Sequence, residues 1–113
     1  MILRNLFGRP AIPGIDAVEA RSRQQAGAQI VDVREPDEWR AGHIPGAVHL
    51  PLASLQARMR DLDPRRELIV VCRSGNRSAM AVSLLQSAGF TEAANLDGGM
   101  IAWGRHGLPV TRK

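Results

Sequence analysis

Cysteine occurs once in these 113 residues, lysine once and tyrosine not at all. A single thiol cannot close an internal disulfide, and beside three separated histidines it offers no zinc-site spacing. Cys72 is therefore expected to be reduced and unmetallated, and no metal is implied. With Lys113 the only lysine, the net charge of +4 is carried by arginine. Those arginines are scattered, and no basic run marks a nucleic-acid or membrane patch. The expectation is a solvated surface that also steers small anions inward. Aromatic content is 4%, two Trp and two Phe, too little for the stacking platforms of single-strand nucleic-acid binders. No apolar run approaches the roughly eighteen residues of a membrane span. Met1 to Pro10 lacks the apolar core and cleavage pattern of a secretion signal, so a cytoplasmic location is expected.

What is present is ordinary in amount. The chain has 44% apolar and 23% charged residues, close to the average soluble globular domain, and its length suits one domain with one core. Along it, helical and strand patterns alternate. Asp16 and Glu19 make a capping-box pattern that opens a helix, closed by Gly27 after Ala26. Residues 29–33 form a short β-branched strand. Glu35 and Pro36 open a short helix with Asp37 and Glu38 in its first turn, and Gly42 stops it. Ile44-Pro45-Gly46 is a type II turn, since Pro presets its second position and Gly accepts the positive φ of the third. A brief strand, 47–50, follows.

Leu52, Leu55, Met59 and Leu62 recur at helical spacing, which predicts an amphipathic helix ending before Asp63-Pro64. Residues 68–71 are the most hydrophobic run and suit a central strand covered on both faces. A polar loop over 73–77 leads to a helix over 78–88, with Val82, Leu85 and Ala88 inward and Gly89 as its stop. A last strand, 93–96, precedes Asp97-Gly98-Gly99 and a helical turn with Met100 and Trp103. The alternation predicts a doubly wound α/β sheet.

In open α/β sheets ligands gather outside the carboxyl ends of strands, which is where Cys72 stands. A free cysteine is by default a small core hydrophobe. Here Arg73, Ser74, Gly75, Asn76 and Arg77 follow it, and a turn so polar is not core. A thiol with a pKa near ~8.5 is mostly protonated at neutral pH and needs help to act as a nucleophile. The help on offer is a helix N-terminus, whose free N–H groups and dipole favour an anion, flanked by two arginines. Gly75 can take the positive φ that converging amides require, and Asn76 tolerates it better than most residues.

These residues resemble a known family. Cys72-Arg73-Ser74-Gly75-Asn76-Arg77-Ser78 is similar to the active-site loop of single-domain rhodaneses, the thiosulfate sulfurtransferases. Asp32-Val33-Arg34, Glu38 and Trp39 through His43-Ile44-Pro45-Gly46-Ala47, Pro51-Leu52, and Leu96-Asp97-Gly98-Gly99 with Trp103 fall in the family's order and spacing. The resemblance implies a rhodanese domain over residues 12–110, with an N-terminal extension over 1–11 and a tail over 111–113. It implies a three-layer α/β/α domain with a five-stranded parallel sheet, and a persulfide cycle on Cys72 that needs no cofactor. A small anionic donor such as thiosulfate gives up its outer sulfur to Cys72, and cyanide or a thiol then removes it. Arg73, Ser74, Gly75, Asn76, Arg77 and Ser78 are expected to bind the donor, their amides cradling the sulfur and the two arginines orienting the anion. Arg77 could instead brace the loop. With no second cysteine to resolve the persulfide, the acceptor comes from outside, a small molecule or a protein of a sulfur-trafficking pathway.

Two rivals share the architecture. Phosphatases and arsenate reductases of this fold place five residues between cysteine and arginine, whereas four, Arg73 to Asn76, separate Cys72 from Arg77. Rhodanese-like binding modules commonly lack the cysteine that this chain keeps. Asp32 and Arg34 are expected to support the site as a structural ion pair, since buried charges are paired. His43 and His49 are expected to fix the Pro45-Gly46 turn, Trp103 to pack in the core, and Gly98-Gly99 to let the chain pass close under a neighbouring strand end.

Overall fold

The computed structural model describes residues 12–113, so the extension expected over 1–11 lies outside the described residues. The strands are β1 (Gly14–Ile15), β2 (Gln29–Asp32), β3 (Val48–His49), β4 (Leu68–Val71) and β5 (Ala93–Leu96). All pair in parallel, in one sheet of order β1–β5–β4–β2–β3. The helices are α1 (Ala17–Gln25), α2 (Pro36–Ala41), α3 (Leu55–Arg58), α4 (Asn76–Ser87) and α5 (Gly99–Arg105).

Side chains on a strand alternate between faces, and the core follows that alternation. Leu68 and Val70 of β4 enter one apolar cluster with Val31, Leu55, Val82 and Leu85. Ile69 and Val71 enter the other with Ile30, Ala20 and Trp103. Helices α1 and α5 thus cover one face and α3 and α4 the other, giving the three layers. All four residues of β4 are buried, as a run so apolar requires, and each such side chain contributes about 1.5–3 kcal/mol.

Local signals were realised unevenly. Asp16 Oδ1 accepts from Glu19 N–H (2.8 Å), but Glu19 turns its carboxylate to Arg23 Nε (2.9 Å), so the capping box is half formed. The reach-back occurs instead in α2, where Glu38 Oε1 accepts from Glu35 N–H (3.1 Å). The type II turn is present: Ala47 N–H donates to Ile44 O (3.1 Å), with Gly46 at φ 83°. Trp103 is fully buried, and its indole N–H donates to Pro109 O (2.8 Å). Residues 111–113, expected as a tail, lie against the domain, because His43 and Thr111 exchange both backbone hydrogen bonds at 2.8 Å.

Four expectations need correction. The helix expected over 52–62 is one α turn between 3₁₀ turns, Leu52–Ser54 and Met59–Asp61. The three-residue steps from Leu52 to Leu55 and from Met59 to Leu62 suit 3₁₀ geometry, which aligns i with i+3. Helix α4 begins at Asn76, two residues early, so the polar loop is only 73–75. Ala88 is exposed at the C-cap of α4, while Ala81 joins Val82 and Leu85 inside. Strand β1 was not expected from its pattern, being two residues long with a glycine. Among the described residues no helix is long and apolar enough to cross a membrane.

The corrected inward face of α4 can be checked by urea unfolding. Leu85→Ala is expected to cost about 2–5 kcal/mol, and Ala88→Ser less than ~0.5 kcal/mol. Comparable losses at the two positions would contradict the burial described.

Candidate active site

The chain leaves β4 at its carboxyl end beside β2, where the strand order reverses and crevices form in sheets of this kind. Two carbonyls there are held from below, since Met100 N–H donates to Cys72 O (2.9 Å) and Ile101 N–H to Arg73 O (3.1 Å). This contact needs glycine: Gly99 has φ 55°, and a Cβ on it would collide with the Cys72 and Arg73 carbonyl oxygens. The close passage expected of Gly98-Gly99 is therefore real. The loop 73–75 then turns into α4 through Gly75 at φ 111°. Asn76, credited with tolerance for positive φ, does not use it, because the turn is completed at Gly75.

The turn points donors at the sulfur. Gly75 N–H donates to Cys72 Sγ (3.2 Å), as does the Ser78 hydroxyl (3.3 Å), and Ser78 is fully buried. Cys72 itself is only 1% exposed and joins the cluster beneath α4. The expectation that polar neighbours keep this position out of the core is thus wrong for the side chain. Arg73 and Ser74 are exposed, but the sulfur turns inward beneath them to meet its donors. Burial pushes the Cys72 thiol up. Hydrogen bonds from the Ser78 hydroxyl and from the N–H groups of Ser78, Gly75 and Ser74 outweigh it and hold the thiol below its ordinary value.

The arginines have different lots. Arg77, in the first turn of α4, makes a bidentate pair with Glu38 of α2, Nη1 to Oε1 at 2.7 Å and Nη2 to Oε2 at 2.9 Å. The Arg77 contact, opposed by burial, holds the Glu38 carboxyl at about 2, against an ordinary 4.5. Because Glu38 also accepts from Glu35 N–H, one carboxylate both closes α2 and ties it to α4. Arg73 is exposed and, among the described residues, has no carboxylate within ion-pair distance.

Asp32 and Arg34 form the buried pair that was expected. Asp32 Oδ1 accepts from the backbone N–H and Nε of Arg34 (both 3.0 Å), and Oδ2 accepts from Nη2 (2.7 Å). Nη2 also reaches Gly42 O (2.7 Å), which fastens the end of β2 to the end of α2. With its oxygens so occupied, Asp32 serves as scaffold. His49 Nε2 donates to Arg34 O (2.8 Å), and the His43 ring lies 2.8 Å from both Trp39 O and Lys113 O. Trp39 stacks on His43 at 3.5 Å and on His49 at 4.7 Å, so both histidines fix the loop around the turn.

Two residues of the site were missed as such. Glu38 was read as an acidic first-turn residue and as part of a segment resembling the family, but not as a site residue, and nothing local marks its pairing with a residue 39 positions away. Asn95, 7% exposed in β5, donates through Nδ2 to Gly75 O (3.2 Å). A lone amide in an otherwise apolar buried strand was the available signal.

The site is a buried sulfur met by a backbone N–H and a hydroxyl at the carboxyl end of a central parallel strand, and comparison with known proteins places the chain in a family. The family model described as Rhodanese-like domain matches residues 16–106, and the chain belongs to that family. A sulfurtransferase of Allochromatium vinosum is 43% identical over 81 residues, covering 72% of this chain and 76% of the relative. The thiosulfate sulfurtransferase GlpE of Pseudomonas syringae pv. syringae is 38% identical over 85 residues, covering 75% and 80%. The crystal structure of a rhodanese-related protein from Thermoplasma volcanium superposes with a TM-score of 0.84 at 31% identity, covering 89% of this chain and 99% of that one. Two further curated relatives are longer, and the chain spans 48% and 47% of their lengths.

The Glu38–Arg77 tie has a pH signature. A carboxyl whose pKa is depressed by folding stabilises the protein above its unfolded value, near 4.5, and that stability is lost as pH falls toward 2. Both partners are partly exposed, so Glu38→Gln is expected to destabilise by about 1 kcal/mol at pH 6. In thermal melts its gap from wild type should close between pH 4.5 and 2, and a gap independent of pH would contradict the pairing.

Proposed function

We propose that this chain is a sulfurtransferase that carries sulfane sulfur as a persulfide on Cys72. The observation that carries the reading is the pair of donors, Gly75 N–H and the Ser78 hydroxyl, aimed at a buried sulfur. They favour the anion, and the anion is the nucleophile.

In the first step the Cys72 thiolate attacks the outer sulfur of thiosulfate or a similar anionic donor. A new S–S bond forms, the donor's S–S bond breaks, and its electron pair leaves with sulfite. The persulfide anion so formed is one atom longer, and in this reading the N–H groups of Ser74, Gly75 and Ser78, which act on the Cys72 sulfur, also stabilise the charge on the added atom, in the manner of an oxyanion hole. In the second step cyanide or a thiolate attacks the outer sulfur and returns Cys72 as thiolate. No resolving cysteine exists in the sequence, so this acceptor is external, a small molecule or a sulfur-trafficking protein.

Burial favours a donor that presents a small terminal atom, because Cys72 is 1% exposed. Of the two loop arginines, Arg73 is assigned to the donor's charge. Arg77 acts chiefly as a brace, since Glu38 occupies both of its terminal nitrogens. Asn76 and Ser74 contribute at the mouth, where both are exposed. The ring of four residues between Cys72 and Arg77 suits one sulfur atom better than a tetrahedral phosphate.

Mass measurement on protein mixed with thiosulfate tests the reading. One added sulfur is expected on wild type, removed by cyanide and absent from Cys72→Ala. Arg73→Ala is expected to raise KM for thiosulfate about fivefold, what roughly 1 kcal/mol of exposed charge attraction amounts to. Absence of the adduct from wild-type protein across anionic donors would sink the proposal.

A further inference from the structure

Asn95 is the one amide inside β5, paired in register with Val70 of β4 and Gly14 of β1. Its Nδ2 has two hydrogens and two acceptors, Gly75 O and Asp97 Oδ1, each at 3.2 Å. Turned over, the amide would set Oδ1 against a carbonyl and a carboxylate, so its orientation is dictated by what faces it. In that orientation Oδ1 is buried without a partner, the one such side-chain atom among the described residues. Buried acceptors are nearly always satisfied, and an exception calls for a reason. The reason lies at the other end of the amide.

Gly75 makes the loop's turn at φ 111°, and a glycine has little preference of its own for one conformation. Its N–H goes to Cys72 Sγ, while its carbonyl receives Ala79 N–H (3.1 Å) from α4 and Asn95 Nδ2 from outside the helix. Only the φ and ψ rotations of Gly75 separate that carbonyl from that N–H. Holding the carbonyl from the sheet limits how far the N–H can swing from the sulfur.

We propose that Asn95 is a positioning residue for sulfur transfer: acting through Gly75 it keeps an N–H on the Cys72 sulfur, and Asp97 holds the amide in the orientation that allows this. The inference rests on the proposed persulfide chemistry for its meaning, but its first readout does not depend on it.

The chain has one cysteine and no tyrosine, so ultraviolet absorbance of the thiolate reports Cys72 without tyrosinate interference, with Cys72→Ala as the blank. Asn95→Leu keeps the side chain's branching and number of heavy atoms, removes the unpartnered oxygen and adds no charge. It is expected to fold at least as stably as wild type while the Cys72 ionisation midpoint rises by on the order of one pH unit, a roughly tenfold loss of thiolate near neutrality. The persulfide-forming rate should fall in step and recover at alkaline pH, which a merely structural defect would not produce. Asp97→Ala, at an exposed position, is expected to move the midpoint the same way by less, and it carries the test if Asn95→Leu does not fold. An unchanged midpoint in folded Asn95→Leu, or in Asp97→Ala where that alone folds, overturns the inference. Wild type that ionises easily yet never takes up sulfur would overturn the function proposed above and leave the Asn95 effect on the thiol standing.

Discussion

Charge on a buried sulfur is unfavourable unless hydrogen-bond donors surround it, and the loop after β4 is organised around that requirement. Gly75 and Ser78 supply the donors, and each is placed by a different part of the chain. Gly75 can supply its N–H because it alone carries the turn at positive φ. Ser78 can supply its hydroxyl because α4 begins at Asn76, which turns the third helical residue inward. Beneath both, the α5 amides of Met100 and Ile101 grip the carbonyls of Cys72 and Arg73, so the loop is held from the sheet side too.

Three arginines stand near the sheet's carboxyl end, and their partners sort them by role. Arg34 is committed to Asp32 inside the protein, where removing one partner alone would leave a buried charge at a cost of about 3–5 kcal/mol. Arg77 is committed to Glu38 at an intermediate depth. Arg73 has no such commitment among the described residues and faces solvent. Neutralised cations hold the frame, and the uncommitted one is the arginine to which the proposed function assigns the donor's charge.

Much of this was legible from local pattern. β4 and β5, the turn at Pro45-Gly46 and the place of Cys72 at a strand end all follow from apolar runs and from the needs of glycine and proline. The Asp32–Arg34 pair follows from two opposite charges at the end of a buried strand. The illegible parts are set by contacts distant in sequence. The Glu38–Arg77 pair joins two helices, β1 is too short to carry a pattern, and Asn95 matters because of a carbonyl 20 residues away. The inward turn of Cys72 was misjudged because composition gives the polarity of a loop but not which of its atoms the loop closes over.

Strand β4 has paired neighbours on both edges and helices over both faces, and its residues are almost fully enclosed. Segments of that kind are the last to open in native-state fluctuations, whereas exposed loop positions open first. By that rule Cys72 is rooted at the end of the segment expected to exchange slowest, one residue from a surface where Arg73 and Ser74 are exposed. One strand ending thus joins an enclosed root to a solvent-facing rim, and the sulfur takes its position from the former.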